Sequence, residues 1–215
     1  TKGTSYSYNV SCLQFNLDSQ YFKHLKVRQA VAHAIDREAL IKRVAYGYGT
    51  VCYSPIAPGL KAFHDPTPSP YKVDLKKAEA LLDEAGFPRG NNKIRFKVPL
   101  DYNPIGDESR RASDFFRAAL ASIGIAVDVR AADSSAFVKR IYTDRDFDFT
   151  YNGHSNLFDP TVGVQRIYWS KNFKKGVPFS NGSHYENPKV DALLEGAAVE
   201  IDPAKRKEMF FEFQK

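Results

Sequence analysis

The chain is poor in sulfur. Its 215 residues hold two cysteines, Cys12 and Cys52, and one methionine, Met209. The two cysteines make no metal-ligand spacing, and the sequence leaves open a disulfide in an oxidising compartment or two buried thiols. No apolar run approaches the roughly 20 residues that cross a bilayer as a helix. Neither a glycine-rich phosphate cradle nor a G-x-S-x-G nucleophile turn occurs. The five histidines, His24, His33, His64, His154 and His184, form neither H-E-x-x-H nor H-x-H, so a zinc site lacks its usual ligand spacing. We therefore expect no metal and no cofactor. The chain starts at Thr1, and PAKRKEMFFEFQK at 203–215 reads as a helix that meets the last residue without a cap. We read it as a piece of a longer protein.

Charge of one sign is not concentrated anywhere. The net charge is +6, but basic residues fall singly or in short pairs such as Lys76-Lys77, Arg110-Arg111 and Lys174-Lys175. Nucleic-acid binders gather such charge on one face. A solvated basic surface is the better reading, and we expect no nucleic-acid partner. Hydrophobic residues make up 43% and charged residues 26%, a balance that can bury a sizeable core.

What is present is an alternation of strands and helices. YNVSCLQFNL at 8–17 reads as a strand. Val27, Val31, Ala34, Ile35 and Val44 recur at helical spacing and predict one long helix over 26–45, stopped by Gly47. A segment rich in proline follows over 47–73 (Pro55, Pro58, Pro66, Pro68 and Pro70) and forbids helix. It reads equally as a functional loop or as an extended segment pinned to the surface. Asp74 caps the helix LKKAEALLDEAG, because its carboxylate can accept a first-turn amide hydrogen bond. KIRFKVP is a strand with Ile94, Phe96 and Val98 on one side. DESRRASDFFRAALASIG is a helix with acids in its first turn and Phe115, Phe116, Ala119, Leu120 and Ile123 on its buried face. A strand at 125–129, a helix capped by Asp133, and a strand at 146–152 come next. Two helices close the chain, starting at Asn187-Pro188 and after Asp202-Pro203. Such alternation implies an α/β fold with a mainly parallel sheet and helices on both faces. No interior linker divides it, and we read residues 1–215 as one domain.

In open α/β sheets ligands meet the carboxyl ends of the strands. The stretch YNGHSNLFDP at 151–160 follows a strand directly, which makes Asn152, His154 and Asn156 candidate ligand contacts, joined by the aromatic pair Tyr168 and Trp169. Catalysis is poorly served. Ser155 is next to His154, and adjacent side chains point apart in extended chain, so no serine relay forms. Asp159 before Pro160 suits a helix cap better than a reactive group. A small hydrolase using His154 and Asp159 is the alternative from another class, and a basic nucleic-acid module is a weaker third.

The order of motifs resembles a known family. LQFN at 13–16, then KVRQAVAHAIDREALIKRVAYGYG at 26–49, is similar to the signature region of family 5 extracellular solute-binding proteins, the dipeptide-, oligopeptide- and nickel-binding components of ABC importers. The resemblance continues through SPIAP at 54–58, YKVDLKKAEALLDEAGF at 71–87, LASIGIAVDVR at 120–130, DFDF at 146–149, LFDPT at 157–161 and YENPKVDALLEGA at 185–197. It implies a periplasmic-binding-protein-like C-terminal lobe, with the N-terminal lobe and a final return segment absent. It also implies a periplasmic or lipid-anchored location and delivery of a small solute (peptide, opine, glycan, haem or metal chelate) to ABC permease transmembrane subunits.

Carried over by position, the resemblance puts Asn156 where peptide binders place an aspartate for the peptide's ammonium group. An amide there can accept a hydrogen bond but cannot neutralise the charge. Tyr151 lies near where some oligopeptide binders use an arginine. Cys12 matches a cysteine that in some members bridges to this loop, where the partner position is His154; Cys52 is the other candidate partner. His24 replaces an aspartate that caps the long helix. These departures point away from free-amino peptides as the ligand.

Overall fold

The computed structural model describes residues 8–67, 69–104 and 106–215. Residues 1–7, Pro68 of the proline-rich segment and Ile105 lie outside this description. The elements run β1 (Asn9–Phe15), α1 (Leu25–Ala34), α2 (Arg37–Val44), α3 (Leu75–Glu84), β2 (Phe96–Tyr102), α4 (Asp107–Ala121), β3 (Ile125–Arg130), α5 (Ser134–Val138), a π-helical turn (Lys139–Asp144), β4 (Phe149–Ser155), α6 (Pro160–Gly163), α7 (Gln165–Tyr168), a 3-10 turn (Ser170–Asn172), α8 (Pro188–Val199) and α9 (Pro203–Phe213). The fold is α/β.

The sheet has the order β1-β4-β2-β3. β2 pairs parallel with β3, Phe96 opposite Ile125, and parallel with β4, Leu100 opposite Phe149. β1 is the exception. The Asn16 amide donates to the Asp148 carbonyl at 2.8 Å and the Asn156 amide to the Tyr8 carbonyl at 2.7 Å. One residue number rises as the other falls, so β1 is an antiparallel edge strand.

The chain forms two compact units, Thr1–Cys12 with Cys52–Pro68 and Gly153–Lys215, and Leu13–Val51 with Ser69–Asn152. In the second unit the period-2 pattern of β2 sends Phe96, Val98 and Leu100 to one face, where they join Val27 and Val31 of α1, Leu82 of α3, Phe116 and Leu120 of α4, and Phe149 and Tyr151 of β4. Leu82, Leu100 and Leu120 have no exposed surface, which stabilises the fold by about 1.5–3 kcal/mol each. On the opposite face Asp101 is fully buried. Arg130 holds its carboxylate at 2.7 Å and Arg140 of the π-helical turn takes the other oxygen, because a buried charge must be paired. Farther along that face Lys97 and Asp128 are exposed.

The predicted single helix over 26–45 is two helices. Asp36 caps α2, accepting from the Ala39 amide at 2.9 Å, while Ile35 turns extended. A continuous helix would need the His33 carbonyl for the Arg37 amide. Here the Asp74 amide occupies it at 2.9 Å, and the His33 ring sits 2.7 Å from the Lys72 carbonyl. β2 also starts later than the predicted strand. The Gly90 amide donates to the Ile94 carbonyl at 3.0 Å, which holds Ile94 in a turn and leaves it 41% exposed.

The first unit has its own core of Ile56, Leu60, Val164, Val190, Leu194, Phe210 and Phe213. Asn187 caps α8 through the Lys189 amide at 3.0 Å, and Asp202 caps α9 through the Ala204 amide at 2.8 Å. Part of the proline-rich segment is core, since Ile56 and Ala57 have no exposed surface. Among the described residues, no helix is long and apolar enough to cross a membrane.

Candidate functional site

The loop after β4 is built around Asn156, which is 1% exposed. Its amide spans the proline-rich segment. The Ala57 N–H donates to Asn156 Oδ1 at 2.6 Å, and Asn156 Nδ2 donates to the Pro55 carbonyl at 3.2 Å. Its own backbone N–H is held by Tyr8. On the other side α6 packs against it so closely that a Cβ on Gly163 would lie 2.0 Å from the Asn156 carbonyl oxygen. Only glycine fits there.

Beyond Asn156 the chain turns through Leu157 at φ 55°, a left-handed conformation that costs a branched apolar residue strain. The turn leaves Phe158 83% exposed, its ring edge-on to Tyr8. Asp159 then caps α6, accepting from the Thr161 amide at 2.8 Å, and pairs with Arg206 at 2.6 Å. Burial works to raise the Asp159 carboxyl, but the Arg206 hydrogen bond and charge with the Thr161 amide outweigh it and hold the group below the usual carboxylate range.

His154 occupies the end of β4 with 4% of its surface exposed. Neither ring nitrogen has a hydrogen-bond partner among the described residues. Burial, and then the positive charge of Arg166, hold its imidazole down at about 4, so the ring is neutral at physiological pH. Arg166 is half-buried on α7, and its Nε is likewise buried without a partner.

The other residues singled out from sequence have definite places. Asn152 belongs to the second unit. It is 2% exposed, accepts from Asn103 Nδ2 at 3.1 Å and donates to the Tyr142 hydroxyl at 3.1 Å. His154, Asn156, Tyr168 and Trp169 belong to the first unit. Tyr168 packs its ring against Tyr185 and Phe213, and burial, with Cys12 and Cys52 nearby, pushes its phenol up. Trp169 is tied to α8, its Nε1 donating to Glu195 at 2.7 Å, with the Lys171 ammonium 5.6 Å over its ring. Cys12 and Cys52 are both free thiols. Burial, with a smaller effect from Cys52, pushes Cys12 up to about 12. Among the described residues, no cluster of three or more His, Cys, Asp or Glu side chains is placed to hold a metal.

Sequence reasoning missed Arg166 and Gly163. Arg166 left no local signal, since α7 spans only Gln165–Tyr168 and offers no i,i+4 pattern to read. Gly163 left none, because the backbone it must clear is fixed by tertiary packing.

A parallel-rich sheet flanked by helices, with a long loop at the carboxyl end of β4, defines an α/β fold. The chain belongs to family 5 of the bacterial extracellular solute-binding proteins, whose middle-region model matches residues 2–176. It is 26% identical over 210 residues to heme-binding protein A of Haemophilus influenzae, covering 96% of this chain and 37% of that protein. It is 26% identical over 208 residues to the dipeptide-binding protein of Escherichia coli, covering 96% and 38%. The solved structure of the periplasmic binding protein DppA from Helicobacter pylori in complex with the peptide STSA superposes with a TM-score of 0.87 at 26% identity, over 97% of this chain and 39% of that one. The chain thus spans well under half the length of these relatives.

Proposed function

We propose that this chain is the C-terminal lobe of a two-lobed solute-binding protein that captures a small polar solute and delivers it to an ABC permease in the membrane, working in the periplasm or anchored at the cell surface. Membership of the solute-binding family over residues 2–176 carries this reading. Relatives named for heme and for dipeptides support a solute cargo without fixing its chemistry. The loop over 154–169 is the wall that faces the solute. His154 supplies directional hydrogen bonding, Tyr168 and Trp169 supply aromatic surface, and Asn156 pins the wall to the proline-rich segment. Closure about a hinge would then present the loaded form to the permease.

Asp159 is why we favour this reading over the hydrolase alternative. That carboxylate is engaged by Arg206 and the Thr161 amide, so it is not free to orient a histidine as a general base. The test is native mass spectrometry of the full-length protein purified under non-denaturing conditions. We expect one small molecule bound per chain, released on unfolding. A protein that carries no solute, binds none from a metabolite extract, and instead turns over an ester in a way abolished by His154→Ala would refute the reading.

A further inference from the structure

The structure sets Lys174-Lys175 apart from other basic pairs of the chain. Lys76-Lys77 on α3 has Asp74 and Glu79 within a helical turn, and Arg110-Arg111 on α4 has Asp107, Glu108 and Asp114 as near. From Thr161 to Tyr185 there is no aspartate or glutamate. The acids that α8 turns towards this segment are engaged. Asp191 accepts from the Ser170 amide at 2.9 Å and from its hydroxyl at 2.6 Å, and Glu195 accepts from Trp169 Nε1 at 2.7 Å and from Lys171 at 2.6 Å. Glu186 lies 3.4 Å from the His184 ring. Lys174 and Lys175 form no ion pair among the described residues. The turn that carries them is also well tied. The Val177 amide donates to the Lys174 carbonyl at 3.1 Å, with Gly176 between them at φ 82°, a conformation that favours glycine. The Ser180 hydroxyl donates to the Val177 carbonyl at 2.8 Å, and the Asn181 amide donates to the Asn172 carbonyl at 3.2 Å. Phe173 stacks on His184 at 3.8 Å. Lys174, Lys175, Val177 and Pro178 are thereby held exposed, which cuts the ordering cost of binding.

We propose that this turn docks the first unit on an anionic phospholipid surface. Two ammonium groups without local counter-ions complement a layer of phosphate headgroups, and that attraction needs no shape matching. Val177, 45% exposed, and Pro178 add a small apolar surface for the headgroup boundary. A protein partner fits the turn poorly. Lysine is depleted in protein interfaces, whose anchors are aromatic residues and arginine, and residues 174–178 hold neither. The net charge of +6 draws the whole chain towards any anionic surface; the proposal is that this one turn dominates the contact. It concerns where the protein sits and stands apart from the solute and its chemistry.

The experiment uses the full-length protein, expressed without lipidation, in sedimentation with vesicles. One set holds equal parts of phosphatidylglycerol and phosphatidylcholine, and the other phosphatidylcholine alone. We expect binding to the anionic set only, falling as salt rises. Lys174→Gln with Lys175→Gln should weaken it roughly tenfold or more, since each basic residue at such a surface contributes about fivefold. Lys76→Gln with Lys77→Gln removes the same charge from α3 and should change it by less than about twofold. All four lysines are exposed, so both variants should melt like the wild type. Equal losses in the two double variants, equal binding to both sets of vesicles, or binding to neither each overturns the proposal. So does a Lys174→Gln, Lys175→Gln protein that binds vesicles like the wild type but no longer co-purifies with the permease, which would assign the turn to a protein partner. A protein that holds a solute yet ignores vesicles loses this surface and keeps its role as a binder.

Discussion

Asn156→Asp tests the site most sharply, because position in the family and geometry in this chain predict opposite outcomes. If Asn156 were an open ligand contact, an aspartate would supply the missing counter-charge for an ammonium group and leave the fold alone. The structure instead commits the amide inward. Asn156 Oδ1 accepts from Ala57, and a carboxylate would keep that bond. Asn156 Nδ2, however, donates to the Pro55 carbonyl at 3.2 Å, and a carboxylate there sets oxygen against oxygen. Losing the donor and leaving the carbonyl unsatisfied costs about 1–3 kcal/mol. Ionising an acid that is 1% exposed adds to this until the group protonates instead. We expect a total of about 3 kcal/mol near neutral pH, or a fall in Tm of about 10 °C for a domain of this size. In acid the protonated side chain can donate to Pro55 again and recover most of the loss. Circular dichroism melts of the wild type and variant at neutral and mildly acidic pH read this directly. An Asn156→Asp protein that melts like the wild type at neutral pH, and gains affinity for a free-amino dipeptide, would show that the amide faces the ligand and that the clamp is wrong.

Two further outcomes follow from the same loop. His154 has an ordinary pKa of 6.5, held down to about 4 when folded, so the unfolded chain binds a proton that the folded chain refuses. The stabilisation is complete above pH 6.5 and is lost as pH falls towards 4; at about 1.4 kcal/mol per unit it amounts to about 3 kcal/mol. Urea unfolding at both ends of that window should therefore show a smaller acid loss in His154→Gln than in the wild type, and equal losses would mean the ring is not buried neutral. Gly163→Ala places a methyl 2.0 Å from the Asn156 carbonyl oxygen; since backbone must move to admit it, we expect at least about 3 kcal/mol of destabilisation, measured by the same urea series, and a benign substitution would count against the packing of α6 on the loop.

Local chemistry was legible in the sequence. Asp74, Asp133, Asn187 and Asp202 cap the helices they precede, because a cap involves a side chain and amides two or three residues away. Asp159 was readable as a cap for the same reason. The parallel core of the sheet followed from strand–helix alternation. What failed depended on distant partners. The break at Asp36 needs the Asp74 amide on the His33 carbonyl, and the late start of β2 needs a turn closed by Gly90 and Ile94. The antiparallel edge of β1 rests on backbone bonds between residues far apart in sequence, Asn16 to Asp148 and Asn156 to Tyr8. At the site, position alone marked His154 and Asn156 as ligand-facing candidates. Whether an amide points out or in depends on Ala57, 99 residues away, and no local pattern encodes that.

The electrostatic logic of the loop then differs from that of a peptide-ammonium site. Three polar positions decide its sign. Asn156 is neutral where the resemblance places an acid, and it holds the loop to the proline-rich segment. Asp159 is ionised but paired with Arg206, so its charge is balanced within the first unit. His154 is an imidazole that burial keeps neutral. Either position, 156 or 159, resists the role of a free acid. An acid at 156 would face Pro55, and freeing Asp159 would uncap α6 and unpair Arg206. A free acid on this loop therefore costs fold stability at either position, which predicts that Asn156→Asp and Arg206→Gln each lower the urea midpoint at neutral pH, and an unchanged midpoint in both would show that these bonds do not hold the loop.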